Sequence, residues 1–187
     1  MRHFFAAGLV LTGFVTAAGA QQQSGPIVMR GGNHYAVPNP THTVPKDQTY
    51  KIAWDVKVAS PKPDSINPAL DVPARFLNQS AALGIPRSNV QVAIVVHGTA
   101  GEELLSNAEY RARKGVDNPN IALLEELSKA GVQIILCGQT MGSRKMPRDQ
   151  ILPFVKISPS AVWAHAVLQR QGLLPSRSYV PERRSLC

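Results

Sequence analysis

The stretch Val132-Gln133-Ile134-Ile135-Leu136-Cys137-Gly138-Gln139-Thr140 predicts a buried β-strand that ends in a cysteine and a glycine turn. A segment of helical composition precedes it, so the strand fits a parallel sheet whose strands are connected by helices. Reacting groups gather at the carboxyl ends of such strands, because the backbone leaves the packed sheet there and side chains reach solvent. Cys137 stands at one of these ends, where it is either a reactive thiol or a small buried apolar side chain.

The first twenty residues have the pattern of a secretory signal peptide. Arg2 and His3 precede an apolar run at residues 4–18, and Ala18-Gly19-Ala20 supplies small residues of the kind that signal peptidase requires. The run is too short to span a bilayer comfortably, and no later segment is apolar enough to do so. We therefore expect a soluble, exported protein, periplasmic or secreted, whose mature chain begins at Gln21.

Composition narrows the class of protein further. Removal of the leader would leave 167 of the 187 residues, which suits one domain, and would lower the net charge from +8 to +7 with the loss of Arg2. The basic residues are spread over loops and the tail, and no nucleic-acid-binding signature is present, so nucleic acid is not expected as a partner. Two cysteines, Cys137 and Cys187, are too few for a disulfide framework but permit one bridge in an oxidising compartment.

Four further segments predict β-strands. Residues 50–58 alternate between apolar and polar side chains, which indicates a strand with one wet or partner-covered face. Residues 90–96 are almost wholly apolar, which is typical of a strand in the middle of a parallel sheet, and they end at His97. Shorter strands are predicted at residues 154–157 and, at the edge of the sheet, at 177–180.

Five segments have helical composition: residues 74–83, 101–114, 119–130, 147–152 and 159–171. Pro73 is expected to start or kink the first of them. Asn118 is the expected N-cap of the third, with Pro119 as its first residue, and Ser158 is the expected N-cap of the last. The last of these is apolar around most of its circumference, so we expect it to be deeply buried or shared with another subunit. Residues 138–145 are expected to form a loop. Residues 21–49, rich in Gln, Gly, Pro and Asn, predict an extended arm with few local reasons to fold.

Six short motifs, within a likeness that runs from about Tyr50 to Gly172, occur in the order typical of a known family. They are Val95-Val96-His97-Gly98, Asn118-Pro119-Asn120, Gly131-Val132, Leu136-Cys137-Gly138-Gln139-Thr140, Ser160-Ala161-Val162 and Leu168-Gln169-Arg170-Gln171-Gly172. Together they resemble the DsrE/DsrF-like family, in its exported branch. The sequence departs from the family pattern at Leu173, where an aromatic residue is common, and at Pro73, which interrupts a helix that is usually longer.

The resemblance implies a three-layer α/β/α fold with a five-stranded, mainly parallel sheet, similar to flavodoxin-like and Rossmann-like folds. This domain would span residues 50–181, between the arm and a basic tail at 182–187. The resemblance also implies assembly as a homo-trimer or homo-hexamer. In function it implies a sulfur relay, in which Cys137 carries sulfur as a persulfide and exchanges it with donor and acceptor proteins, or a thiol-redox role for the same cysteine.

A sulfur carrier needs a thiolate, and an unperturbed thiol with a pKa of about 8.5 is mostly protonated at neutral pH. Arg144 follows Cys137 closely, and a helix opening near Pro147 would present its positive end. If the strands that end in His97 and Cys137 are neighbours, the imidazole could accept the thiol proton. The residues expected to support this pocket are Gly98, Gly138, Gln139, Thr140 and Arg144.

A second interpretation remains open, in which Cys137 only fills the end of the sheet. The protein would then be a non-catalytic module of the same fold that binds a small ligand or a partner. His97 would bond to a backbone carbonyl, and His165 would be a core or interface residue. His34 and His42 show no metal-ligand spacing, and no nucleophile elbow, phosphate-binding loop or zinc motif occurs, so no cofactor and no metal is expected.

Overall fold

The computed structural model describes residues 21–177, in which helices alternate with the strands of one parallel sheet. The elements in chain order are β1 (Gln22–Gln23), β2 (His34–Tyr35), β3 (Tyr50–Val56), α1 (Pro68–Ala82), β4 (Val90–Val96), α2 (Asn107–Lys114), α3 (Ile121–Lys129), β5 (Gln133–Cys137), α4 (Gly138–Ser143), β6 (Lys156–Ser158), α5 (Ala161–Arg170) and β7 (Leu174–Arg177). Within these residues, no helix combines the length and the apolar composition that crossing a bilayer requires. The predicted signal peptide at 1–20 and the tail with Cys187 lie outside the described residues.

Five strands form the main sheet in the order β6-β5-β4-β3-β7, and every neighbouring pair is parallel. The sheet is flanked by helices, which confirms the predicted three-layer α/β/α fold. Val96 lies opposite Leu136, so β4 and β5 end side by side. The edge strand β7 begins at Leu174, earlier than the predicted strand at 177–180, most of which lies beyond the described residues.

The two faces of the sheet are covered very differently. On one face, α1, α2 and α3 pack over large strand residues such as Trp54, Ile94 and Leu136, which form the main core. On the other face, α5 packs Ala164 and Leu168 against a smaller cluster of strand residues: Ala53, Ala93, Val95 and Ile135. The apolar cluster under α5 is therefore much smaller than the main core.

Helix α1 begins earlier than Pro73, the residue that the sequence marks as its start. The side chain of Asn67 caps it by accepting the N–H of Ala69 at 2.8 Å, and Pro68 takes the first position, where its missing N–H costs nothing. Pro73 lies inside the helix. The helix continues past it to Ala82, so Pro73 neither starts nor ends α1.

Two further helix caps differ from the predicted ones. Helix α3 begins at Ile121, with Asn120 at the N-cap position. Asn118 is buried two residues earlier: its side-chain oxygen accepts the N–H of Asn120 at 3.0 Å, and its amide donates to the carbonyls of Glu103 and Leu105 at 2.8 Å each. Ser160, and not Ser158, caps α5, since its hydroxyl accepts the N–H of Trp163 at 3.2 Å.

Three segments also differ in the extent of their helices. The predicted helix at 101–114 divides into a 3-10 helix, Gly98–Leu104, and α2, because Ser106 caps the second part. The predicted helix at 147–152 is reduced to a 3-10 turn at Arg148–Gln150. The expected loop at 138–145 instead contains α4.

The arm at residues 21–49 lies against α1 and α3 of its own chain. The carboxamide of Asn78, fully buried on α1, accepts the N–H groups of Ile27 and Val28 at 3.0 and 2.9 Å and donates to the carbonyl of Val28 at 2.8 Å. A carboxylate oxygen of Glu126 accepts the N–H of Arg30 at 2.9 Å. Val28 is buried in the main core, where a side chain of its size contributes roughly 1.5–3 kcal/mol. Specific polar contacts with α1 and α3 therefore hold the arm in place, although its sequence has no helical or strand periodicity.

Replacing Asn78 by alanine should lower the free energy of unfolding by about 2–3 kcal/mol, because it leaves buried backbone groups of the arm without partners. The measurement is urea denaturation at fixed protein concentration, with limited proteolysis to detect release of the arm. Gln79→Ala removes a neighbouring carboxamide from the same helix and should change stability by less than about 1 kcal/mol. Equal effects of the two substitutions would show that Asn78 does not hold the arm.

Candidate functional site

Cys137 stands where β5 passes directly into α4, as the N-cap residue of that helix. Its Cα lies opposite Ser158 of β6, and the preceding Leu136 lies opposite Val96 of β4. The residue is only 5% exposed. The thiol is therefore presented at the carboxyl edge of the sheet, as the sequence predicts, but beneath other groups and not in open solvent.

Four groups around the sulfur of Cys137 lower the pKa of its thiol by hydrogen bonding. They are the backbone N–H groups of Gln139, Thr140 and Ala161 and the hydroxyl of Thr140. Burial raises the pKa of the Cys137 thiol, because a charged sulfur loses its solvation by water. The donors favour the thiolate and together outweigh burial, so the pKa of Cys137 lies below the ordinary value for cysteine.

Glycines around the thiol permit this convergence of donors. A Cβ on Gly138 would lie 2.8 Å from the carbonyl oxygen of Ser158 and 3.2 Å from that of Pro159. Only a glycine therefore lets the start of α4 approach the segment that leads into α5, whose first residue supplies the Ala161 N–H. A Cβ on Gly101 would lie 2.6 Å from a methyl carbon of Thr140, so a second glycine makes room for that side chain.

Gly98 links the end of β4 to the same site. Its N–H donates to the hydroxyl oxygen of Thr140 at 3.0 Å, and the Thr140 hydroxyl in turn donates to the sulfur of Cys137. The side chain of Gln139 donates to the carbonyl of Pro159 at 3.2 Å. The structure thus brings together four of the supporting residues that the sequence singles out: Gly98, Gly138, Gln139 and Thr140.

Arg144 does not join this group. Its guanidinium donates to a carboxylate oxygen of Glu102 at 3.2 Å, and Glu102 also pairs with Lys114 at 2.6 Å. Burial raises the pKa of Glu102, but its bonds to Lys114 and Arg144 prevail and lower it. Among the described groups that bond to the thiol of Cys137, none is a cation. The predicted contributions of Arg144 and of a helix near Pro147 are therefore replaced by backbone amides.

His97 and His165 both donate to one oxygen of Asp55, from Nε2 at 3.0 and 2.9 Å. Burial raises the pKa of Asp55, and the bonds from His165 and His97 overcome this effect and lower it. The Nε2 atom of His97 is thus bonded to Asp55 on β3, the strand on the side of β4 away from Cys137. The role of His97 as proton acceptor for Cys137 stays a prediction.

Three groups at this edge of the sheet are not predicted from the sequence as site residues. Asp55 gives one signal, because it is the single acidic residue on the polar side of the alternating segment, near the end of β3. His165 gives none, because its contact with Asp55 depends on how α5 crosses the sheet. Ala161 acts through its backbone N–H, which no side-chain pattern reveals. Within residues 21–177, no group of three His, Cys, Asp or Glu side chains is arranged to hold a metal ion.

Replacing Thr140 by valine removes a hydroxyl donor to the Cys137 sulfur and nearly preserves the shape of the side chain. We expect the pKa of the thiol to rise, because the substitution removes a hydrogen bond to a charged group, which is worth about 1.5–3 kcal/mol. The measurement is the pH dependence of alkylation by iodoacetamide, followed by intact mass in a Cys187→Ser background.

Two controls keep the hydroxyl contact and should leave the midpoint of alkylation in place. Thr140→Ser retains the donor, and Ser143→Ala removes a different hydroxyl from the same helix. An unchanged midpoint in Thr140→Val would contradict the assigned bond. A raised midpoint in His97→Asn would show that the imidazole also acts on the thiol.

Comparison with known proteins places these residues in a family. A profile of the DsrE/DsrF-like family matches residues 66–174, more than half of the 187-residue chain, including Cys137. Among solved structures, the chain is similar to the protein of unknown function MTH1491 from Methanobacterium thermoautotrophicum, with 20% identity and a TM-score of 0.49 over 69% of this chain and 99% of that chain. A search of curated proteins found no match. The chain belongs to the DsrE/DsrF-like family.

Proposed function

We propose that this protein relays sulfur by carrying it on Cys137 as a persulfide. The observation that carries the proposal is the place of Cys137 at the end of β5 and the start of α4, where hydrogen bonding from Gln139, Thr140 and Ala161 lowers the pKa of the thiol. The thiolate is the nucleophile in sulfur chemistry, so a cysteine that ionises more readily is the form that the reaction needs. Membership of the DsrE/DsrF-like family supports the same role.

Loading of Cys137 is a transfer between sulfur atoms. The thiolate attacks the outer sulfur of a donor persulfide, RS–SH; a new S–S bond forms at Cys137, the S–S bond of the donor breaks, and the donor leaves as RS⁻. The proton stays on the transferred sulfur, which gives Cys137–S–SH. Thiosulfate can serve in the same way, with sulfite as the leaving group. No external oxidant or reductant is consumed.

The same hydrogen bonds also assist unloading, in which Cys137 is the leaving group. An acceptor thiolate attacks the outer sulfur, and Cys137 leaves as a thiolate. A thiol with a lower pKa leaves faster. The amides of Gln139, Thr140 and Ala161 therefore stabilise Cys137 both before loading and after unloading. They contribute without moving, since they belong to the backbone of α4 and α5.

The surroundings of Cys137 also bear on where the protein works. We propose that it acts outside the cytoplasm, on the grounds of the leader pattern at residues 1–20. An exposed thiolate in an oxidising space is readily capped or overoxidised. With only 5% of the residue exposed, Cys137 is largely shielded from solvent and from oxidants dissolved in it.

Intact mass spectrometry tests the carrier role. After incubation with thiosulfate, polysulfide or a small persulfide and removal of the donor, the protein should gain one sulfur atom, about 32 mass units. Cyanolysis, which removes sulfane sulfur, should reverse the gain. The physical reason is that the lowered pKa of Cys137 favours the thiolate, which is the form that attacks the donor.

Each of the two cysteines serves as a control for the other. Cys137→Ser should abolish the gain, and Cys187→Ser should retain it. If no donor produces an adduct although iodoacetamide alkylates Cys137, the carrier role is wrong. The alternative, a module of the same fold that only binds a small ligand or a partner, would then take its place.

We further propose that the chain self-associates through the outer side of α5. Val162, Trp163 and Val167 lie there with 78%, 64% and 50% of their surfaces exposed. Adjacent large apolar residues on one exposed helix face are typical of an interaction surface. The resemblance to the DsrE/DsrF-like family supports a trimer or hexamer.

Light scattering coupled to size exclusion tests this arrangement. The native chain should have three or six times the mass of one chain, and Trp163→Asp should release monomers, because a charge at the centre of an apolar interface is costly to bury. Val58→Asp, at another exposed apolar residue, should leave the assembly intact. A monomeric native protein, or an assembly that survives Trp163→Asp unchanged, would remove α5 as the interface.

A further inference from the structure

Helix α5 is held on the sheet by little apolar packing. Of its ten described residues, only Ala164 and Leu168 are buried, against the smaller of the two apolar clusters. A groove of about 450 Å³ lies between one flank of the helix and Pro175 and Ser176 of β7. A polar bond between α5 and the sheet therefore contributes a larger share of the attachment here than it would above the main core.

The side chain of His165 makes such a bond to Asp55. Nε2 of His165 donates to Oδ1 of Asp55 at 2.9 Å, and among the described residues this is the only hydrogen bond from a side chain of α5 to a strand. The backbone of β3, which carries Asp55, is bonded to β4 on one side and to β7 on the other. The pKa of Asp55 lies below its ordinary value, so the acceptor is a carboxylate at neutral pH. Hydrogen bonds to an ionised acceptor are stronger than those between neutral groups.

The first turn of α5 lies beside the thiol of Cys137. The Cα of Cys137 is paired with that of Ser158, and a Cβ on Gly138 would lie only 2.8 Å from the carbonyl oxygen of Ser158. Ala161, the first residue of α5, follows this close approach, and its N–H bonds to the sulfur. His165 comes one helical turn after Ala161, on the same face of the helix. A bond that fixes His165 therefore also fixes the N–H at the thiol.

We infer that Asp55 is a positioning residue for the thiol site, because its bond with His165 holds the first turn of α5 against Cys137. The inference rests on the proposed sulfur relay for its meaning, since Cys137 is the carrier there. Asp55 acts from β3, two strands away from the cysteine strand β5.

This role differs in sign from a direct effect of charge. A carboxylate close to a thiol disfavours the thiolate, because like charges repel. Held by Asp55, the N–H of Ala161 favours the thiolate. Loss of positioning and loss of charge therefore move the titration of Cys137 in opposite directions, so substitutions can separate them.

Substitutions of His165 test the inference through the pH dependence of iodoacetamide alkylation of Cys137, in a Cys187→Ser background. His165→Leu fills similar space but cannot donate to Asp55, so the midpoint of alkylation should shift to higher pH. His165→Gln keeps a side-chain N–H that can donate to the carboxylate and should restore a midpoint close to the native one. Gln169→Ala, one turn further along α5, removes an exposed side chain and should leave the midpoint unchanged.

Substitutions of Asp55 separate positioning from charge. Asp55→Asn removes the negative charge but keeps an oxygen that can accept the bond from His165, so the midpoint should stay at the native value or fall slightly. Asp55→Ala removes both the charge and the acceptor and should raise the midpoint. A direct effect of charge alone would instead lower the midpoint in both variants.

Hydrogen exchange measured by mass spectrometry reports the position of α5 itself. Peptides that cover residues 160–165 should exchange faster in His165→Leu and Asp55→Ala than in the native protein, and at the native rate in His165→Gln. An unchanged midpoint in His165→Leu, a lowered midpoint in Asp55→Ala, or a raised midpoint without faster exchange would each overturn the inference. If Asp55→Ala does not fold, the two His165 variants decide, because Asp55 keeps its bond from His97 in both.

These outcomes are separate from those that test the sulfur relay. Alkylation reports the ionisation of Cys137 whether or not the protein takes up sulfur. A native protein that accepts no sulfur from any donor would remove the proposed function and leave the positioning role standing. A native protein that loads sulfur, with an unchanged midpoint in His165→Leu, would remove only the positioning role.

Discussion

The close approach of Gly138 to the chain at Ser158 and Pro159 is the constraint on which the site depends. It lets α4 start at the end of β5 while the segment before α5 passes directly over it. Backbone N–H groups from two helices then point at one sulfur, together with the hydroxyl of Thr140. Charge stabilisation at Cys137 is thus a property of backbone packing, and no cationic side chain is needed.

A buried polar network holds the loops at the same edge of the sheet. Glu103 accepts the N–H of Ser60 at 2.6 Å and the side-chain amide of Asn67 at 2.5 Å, so it joins the loop after β3 to the start of α1. Burial raises the pKa of Glu103, which these bonds only partly offset. Asn118 extends the network by binding the carbonyl of Glu103. Asn67, which caps α1, and Asn118, which precedes α3, therefore also join loops at this edge of the sheet.

The sheet is largely predictable because its signals are local. Residues 90–96 form an unbroken apolar run, and the cysteine strand is bounded by Gly131 and Gly138. The order of motifs then points to the family, whose fold the structure confirms. Boundaries of helices are less predictable, because Asn118 and Ser158 both look like caps, and only tertiary bonding decides which polar residue caps a helix.

The site divides in the same way between local and distant contributions. Gln139 and Thr140 follow Cys137 in the chain, so their part in the site is visible from the sequence. The N–H of Ala161 arrives through packing, and the bonds of His97 and His165 to Asp55 require three separate elements to meet. A periodic sequence pattern describes one helix or strand at a time, so it cannot predict contacts between elements that are distant in the chain.

The arm has a consequence for any shortened version of the protein. A truncation at Tyr50 would keep every strand of the five-stranded sheet, yet it would strip Val28 from the main core. It would also uncover the carboxamide of Asn78 on the surface of α1. The minimal folding unit therefore starts upstream of Val28, and the first strand of the sheet is a misleading place to cut.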